Sequence, residues 1–535
     1  MDWDTQPDPF RRFEGAPQHP LPKPDDDRTP PYDVIYTADA PRVSVTIDAV
    51  SRLLYYSMAL SAWKEYRQAR WSLRVNPSSG NLHPTEAYLV IDAVDGLHPQ
   101  AGLYHYAPHV HGLERRTQFD RSTWSALTGD LPPGAFLIGL SSIPWREAWK
   151  YGERAYRYCQ HDAGHALAAL RLSAATLGWS LRLLPHVDDD RIELLLGLRR
   201  PEAGHDLERE SACLLMVVDP AGRDIETEPI RLPNEPLQRM ASGTWHGTAN
   251  RLSTGHRPWP QIDQVENACR VAGSGDAGLT GPRCESPQAN LVPSPSAAAS
   301  AGRIIRRRRS ALSMDGATGI SLATFCCMLA RVLPSATRSP WDALTWQPCV
   351  HLAIFVHRVD DLPPGLYALV RAEAQREALQ AAMHRSFEWD VPADIACQLP
   401  LFRLTDDHFG DIAARISCHQ DIAGAGAFSL GMIACFEPMI RRYGAKTYRQ
   451  LFWETGMVGQ ALYLEAEAAG IGATGIGCYF DDPFHDVLGL RDDTFQSLYH
   501  FTVGRPVADS RLTTLPAYDD HSSEESEPRL PEGPR

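Results

Sequence analysis

The chain has 535 residues, enough for two or three domains with cores of their own. A hydrophobic share of 43% and a charged share of 22% are ordinary for a soluble globular enzyme, and a formal charge of −14 argues against nucleic-acid binding. No apolar run reaches about 18 residues, and the start, Met1-Asp2-Trp3-Asp4, has neither the basic region nor the apolar core of a secretory signal, so neither a membrane span nor export is expected and the location reads as cytoplasmic.

Residues 1–39 are rich in Pro and Asp and read as an N-terminal arm rather than a core segment. From Thr46 apolar residues recur at helical spacing: Ile47, Val50, Leu53, Leu54 and Met58. Residues 87–93 form a short β-prone stretch. Residues 161–177 are Ala/Leu-rich and stop at Gly178, which predicts a long helix with a glycine stop. Residues 213–218 read as a closing strand. Residues 236–302 read as a flexible linker, because Gly, Ala, Ser and Pro dominate 273–302. A second long helix is expected over 454–469 before Gly470, a second closing strand over 499–503, and an acidic disordered tail over 515–535. Helices outnumber strands in a loose alternation, so the expected class is α+β, with domains at 40–235 and 303–514.

Those two domains are distant copies of one another. Residues 136–198 align with 428–490 without a gap, sharing Gly139/Gly431, Tyr151-Gly152/Tyr443-Gly444, Tyr156-Arg157/Tyr448-Arg449, Gly164/Gly456, Gly178/Gly470 and Asp189-Asp190/Asp481-Asp482. A second ungapped block pairs Tyr88 with His351 and ends in Gly-Leu-Tyr in both copies. The period is far too long for a solenoid and means a duplicated domain.

Four motifs are unevenly shared. Pro77-Ser78-Ser79-Gly80-Asn81 sets small polar groups beside a glycine that lets backbone approach a planar ligand; alone, such a run is commonly only a turn. Arg306-Arg307-Arg308-Arg309-Ser310 offers guanidinium groups that bond phosphate in charge-assisted, often bidentate fashion, although a basic run is often a solvated surface. Gly475-Ile476-Gly477 is a glycine turn. Val503-Gly504-Arg505-Pro506 adds a further base. In the other copy these positions hold Pro340-Trp341-Asp342-Ala343-Leu344, Asp33-Val34-Ile35, Leu183-Leu184-Pro185 and Asp219. His161-Asp162 with His165 has helical spacing but no third ligand, and the eleven cysteines contain no CxxC pair, so no metal site is expected.

The serine loop, the Arg-Arg-Ser segment and the glycine turn together resemble the flavin-dependent nitroreductase superfamily, and within it the SagB/ThcOx-type dehydrogenases. The resemblance covers roughly 40–220 and 303–510. It implies an intramolecular pseudo-dimer with one FMN between the two nitroreductase-like domains. Arg308, Arg309, Ser310 and Arg505 would hold the phosphate. Gly475, Ile476 and Gly477 would meet the ring system, and Pro77, Ser78, Ser79 and Asn81 would close over it from the other copy. Lys150-Tyr151 resembles the SagB-type Lys-Tyr pair used in azoline oxidation, and would manage the proton that leaves opposite a hydride; the second copy has Arg442-Tyr443, and arginine cannot act as a base. The implied function is FMN-dependent dehydrogenation of a peptide-derived azoline or another biosynthetic intermediate, with biosynthetic partner proteins. The alternatives are an NAD(P)H-dependent nitro or quinone reductase, and a non-catalytic binding protein.

Overall fold

The computed structural model describes residues 2–37, 39–204, 208–227, 230–271, 298–392 and 399–518. The chain builds one antiparallel sheet twice. In the first copy the strands lie in the order Gly112–Phe119, Ala101–Ala107, Thr85–Ile91, Phe136–Ser142, Ser211–Asp219, Ser180–Leu183, with Gln18–Pro20 added at the outer edge. In the second copy the order is Leu401–Asp406, Gly365–Leu369, Val350–Val356, Phe428–Cys435, Phe495–Gly504, Gly472–Ile476. The central strands are buried along their whole length, which is why they read as apolar runs rather than as alternating ones. The fold is α+β, as expected.

One detail of the alignment changes. Gly139 faces Tyr88 across the sheet, whereas its twin Gly431 faces Ala353 rather than His351. The central strand of the second copy is therefore shifted by two residues. A step of two keeps the same side chains on the same face, so the apolar pattern alone does not detect it.

The halves meet along the helices Ala155–Ala175 and Thr447–Ala468, both buried on almost every side. An added Cβ on Gly164 would lie 2.2 Å from the Trp453 carbonyl, and one on Gly456 would lie 2.3 Å from the His161 carbonyl. His161 and Trp453 are themselves equivalent, so the two contacts are one contact seen twice, as a two-fold axis requires. Tyr156 stacks on its own twin Tyr448 at 6.3 Å. Arg449 bonds Asp189 at 2.9 Å and its counterpart Arg157 approaches Asp481 at 3.7 Å. Trp453 donates to Gln160 at 2.8 Å where the mirror pair His161 and Phe452 makes a ring contact at 5.0 Å. These reciprocal contacts make the molecule a pseudo-dimer of two fused copies. Gly197 and Gly489 end equivalent helices in the left-handed region, at φ 71° and 81°, which a side chain would strain.

The segments outside the copies are tied down more firmly than their composition implies. In the N-terminal arm Arg11, Tyr32 and Ile35 are fully buried, and the Tyr32 hydroxyl donates to Glu465 of the second copy at 2.8 Å. The connector contains the helices Asn234–Ala241 and Pro260–Cys269, packed through Leu237, Met240 and Ile262. Its glycine- and serine-rich stretch at 272–297 lies outside the described residues, as does most of the acidic tail. Before that tail, Thr513–Leu515 joins the hairpin Leu60–Tyr66/Ala69–Arg74, so the end of the second copy completes a three-stranded sheet on the first. Tyr518 anchors it, accepting from Leu60 N and donating to Pro108 O.

Candidate functional site

A cleft of about 700 Å³ opens where the two copies meet, and both halves of the split motif set line it. From the first copy come Pro77, Ser78, Ser79 and Asn81 with Tyr151, Tyr158 and Asp162. From the second come Arg308, Arg309, Ser310, Gly475, Ile476 and Gly477 with Tyr463 and Tyr499.

The serine loop is held by its own polar groups. Ser78 Oγ accepts from His83 N at 2.8 Å, Ser79 N and Oγ donate to Asp162 at 3.1 and 3.2 Å, and Asn81 Nδ2 donates to Ser72 O at 2.8 Å. Gly80 has φ +59°, and a Cβ there would strike the Tyr151 hydroxyl at 2.5 Å. This glycine lets the loop lie flat against Tyr151.

The arginine segment follows the helix Ala301–Arg307, which docks on the N-terminal arm through Gly302 N to Thr29 Oγ1 at 2.7 Å. Arg308 is 3% exposed and donates to the carbonyls of Arg74 and Val75 at 3.0 and 3.1 Å, immediately before the serine loop. Arg309 reaches Ser61 O at 3.1 Å and the carbonyls of Arg306 and Arg308. Their hydrogen-bond partners are neutral carbonyls, and the positive charge is only partly offset by Glu467, which lines the cleft and pairs with Arg307 at 3.4 Å. Burial, then the like charges of Arg308 and Arg306, push Arg309 down to about 10. A cationic cluster that weakens its own proton affinity gains most from a dianion, and the residues present fit a phosphate. Ser310 Oγ meets the Tyr463 hydroxyl at 2.9 Å.

The glycine turn is the end of the edge strand Gly472–Ile476. A Cβ on Gly475 would sit 1.9 Å from the Tyr499 hydroxyl, and one on Gly477 would sit 2.5 Å from Tyr158. Gly475 N donates to Tyr463 at 2.9 Å, so that amide serves the cleft wall and is not free for a ligand.

Two expected residues stand elsewhere. Lys150 is exposed, with Nζ 5.1 Å from the centre of the Tyr151 ring, and does not line the cleft. Adjacent helix positions point about 100° apart, so only Tyr151 faces inward. Arg505 is exposed, lies 3.5 Å from Gly470 O and does not itself line the cleft. Several lining residues were not singled out from the sequence as site residues. Tyr158, Asp162 and His165 form an i, i+4, i+7 stripe on the long helix, and that polar stripe was the legible signal. His165 is held neutral by burial, down to about 3, between Tyr499 and Gln460 at 3.2 and 3.3 Å. Among the described residues no group of three or more His, Cys, Asp or Glu could hold a metal ion, and no helix is long and apolar enough to cross a membrane.

Comparison with known proteins agrees with this architecture. The sequence pattern of the Nitroreductase family matches residues 64–207 and 305–505. A provisionally named nitroreductase of Methanocaldococcus jannaschii is 26% identical over 92 residues, a match spanning 17% of this chain and 46% of that protein. A crystal structure of a nitroreductase, also provisionally named, from Anabaena variabilis superposes with a TM-score of 0.68 at 21% identity, covering 95% of each chain, and shows the shared fold. A chain of the Escherichia coli microcin synthetase McbBCD complex, bound to a truncated precursor, matches 37% of this chain and 70% of its own length at 19% identity, with a TM-score of 0.26 too low to carry an argument. With both of its copies matched, this chain belongs to the nitroreductase family.

Proposed function

We propose that this protein is an FMN-dependent oxidoreductase that binds one flavin between its two halves. The observation that carries this reading is the single cleft into which the serine loop of one copy and the arginine segment of the other both open. Bound there, the flavin would supply hydride chemistry, and the chain would supply placement and charge. Arg308, Arg309 and Ser310 would hold the phosphate. Pro77, Ser78, Ser79 and Asn81 would close over the ring system, and Gly475, Ile476 and Gly477 would meet it; side chains at Gly475 and Gly477 would strike Tyr499 and Tyr158. Tyr151, whose hydroxyl burial keeps protonated, lies against the serine loop at Gly80 and is placed to handle a proton. The finer reading is a SagB-like dehydrogenation of a peptide-derived azoline or other biosynthetic intermediate, delivered by partner proteins.

A second reading has its own support. Lys150 stands outside the cleft, which disfavours a Lys-Tyr pair acting together and favours an NAD(P)H-dependent nitro or quinone reductase. Anaerobic bleaching of the visible flavin band separates the two. Bleaching by an azoline-bearing peptide supports the dehydrogenase. Rapid bleaching by NADH or NADPH, with no loss in Lys150→Ala, supports the reductase, and bleaching by neither removes both.

A further inference from the structure

Behind the serine loop lie two carboxyl groups that the cofactor reading leaves unused. Glu147 and Asp162 are 0% and 1% exposed. Asp162 Oδ1 accepts from Ser79 N and Oγ, but Asp162 Oδ2 and both carboxyl oxygens of Glu147 have no well-formed hydrogen bond. The Ser78 hydroxyl faces both carboxyls; it accepts from His83 N, so its own hydrogen is free to point at either. An unsatisfied buried carboxylate is costly, and such a group keeps its proton instead.

The second copy shows that the fold itself does not require this arrangement. Glu454 stands at the position of Asp162 and Met439 at that of Glu147. Glu454 is neutralised by the buried Arg371 guanidinium and accepts from Cys349 N and Val350 N at 3.0 and 3.3 Å. One copy gives the helix carboxylate a counterion. The copy that keeps the cleft gives it a second acid.

We propose that Glu147 and Asp162, bridged by the Ser78 hydroxyl, are a proton store opening on the cleft, which takes up and returns one proton during turnover. This rests on the flavin reading of the same cleft. Asp162, which lines the cleft, exchanges the proton. Glu147, behind it, is a positioning residue. Only a proton moves: an O–H bond forms on Asp162 as an N–H or O–H bond in the cleft breaks and leaves its electron pair on that nitrogen or oxygen. Burial lifts Asp162 to about 7 against the Ser78 and Ser79 hydrogen bonds, and burial, then the Asp162 charge, holds Glu147 well above the carboxylate range. Facing the pair are Tyr151, Tyr158 and Cys159 and, from the second copy, Tyr499, each kept protonated by burial, with Arg74 and Lys150 as the cations on that side.

Infrared spectra of the full flavin-free chain test the store without cofactor or substrate. A protonated-carboxyl band persisting above neutral pH and lost in Glu147→Gln, with a second band titrating near 7 and lost in Asp162→Asn, supports it. Absence of both bands in the unmutated chain, or their survival in both variants, overturns it. With flavin bound, the pH–rate profile should show a limb near 7 that disappears in Asp162→Asn together with about a tenfold or greater loss of rate; an unchanged limb overturns the proposal while leaving the flavin reading intact.

Discussion

The cleft and its pseudo-symmetric counterpart are built from the same elements and end opposite in character. On the open side Tyr463 offers its hydroxyl to Ser310 and to Gly475 N. On the closed side the equivalent residue is Arg171, which grips Asp342 with two hydrogen bonds of 2.8 and 2.7 Å. Trp341, 4% exposed, fills the space where the aligned serine loop has Ser78, with the Arg371 guanidinium 4.7 Å above its ring, and Leu183 and Leu184 are buried where the other copy has its glycine turn. The difference teaches how a duplicated chain closes one of two equivalent sites. The vacancy is filled with a bulky ring and a satisfied ion pair, the interface keeps its packing, and the unsatisfied acid pair and crowded arginines are left to the side that stays open.

The sharpest way to break this comparison is to reopen the closed side. Arg171→Ala leaves Asp342, whose side chain is only 12% exposed, without its partner and should cost up to about 3–5 kcal/mol in chemical denaturation, with flavin content unchanged. Joint replacement of Arg171 by Met and Asp342 by Leu should recover most of that loss. If the single variant instead gains a second flavin, the closed side is a blocked site rather than a lost one.

On the open side the acid pair makes stability fall with rising pH. Asp162 keeps its proton in the folded state up to about 7, whereas the unfolded chain releases it near its ordinary value of 3.8. Its contribution is full below that lower value and is lost as pH rises through the upper one. Relative to the parent, Asp162→Asn should therefore gain about 4 kcal/mol of unfolding free energy between acidic and neutral pH, measured at several pH values in denaturant. A constant difference across that window removes the buried titration.

Arg309→Ala and Asn81→Ala lie in different copies and should weaken the same flavin, the first by roughly 10–100-fold in Kd, as loss of a charge-assisted contact to phosphate does, and the second by less. Fluorescence titration with FMN decides, and an unchanged Kd in either variant separates the two stretches. The smallest effect belongs to Lys150→Ala, an exposed substitution expected to shift stability by less than about 0.5 kcal/mol and rate by no more than a few-fold, whereas Tyr151→Phe should lower the rate by at least about 100-fold.

Much of this was legible in the sequence, because the duplication preserves residue types that geometry demands. Gly164 and Gly456 persist since each lies on a carbonyl of the opposite helix, and the serine loop and arginine run are specific in combination. Other parts were hidden for physical reasons. The Pro- and Asp-rich arm has no periodicity, yet single anchors such as Arg11 and Tyr32 bury it. The hairpin Leu60–Tyr66/Ala69–Arg74 is partly polar and is completed by a strand more than 400 residues later, a pairing no local pattern announces. Arg505 follows the closing strand as anticipated, but its side chain turns outward. Glu147 sits three residues before Lys150, and its role appears only when the long helix brings Asp162 alongside.

The most direct measurement is the amount of FMN bound per purified chain after saturation, by absorbance with flavin released and quantified. One FMN per chain is the result this account predicts; two would mean that the closed site still binds, and none would mean that the shared cleft is not a flavin site.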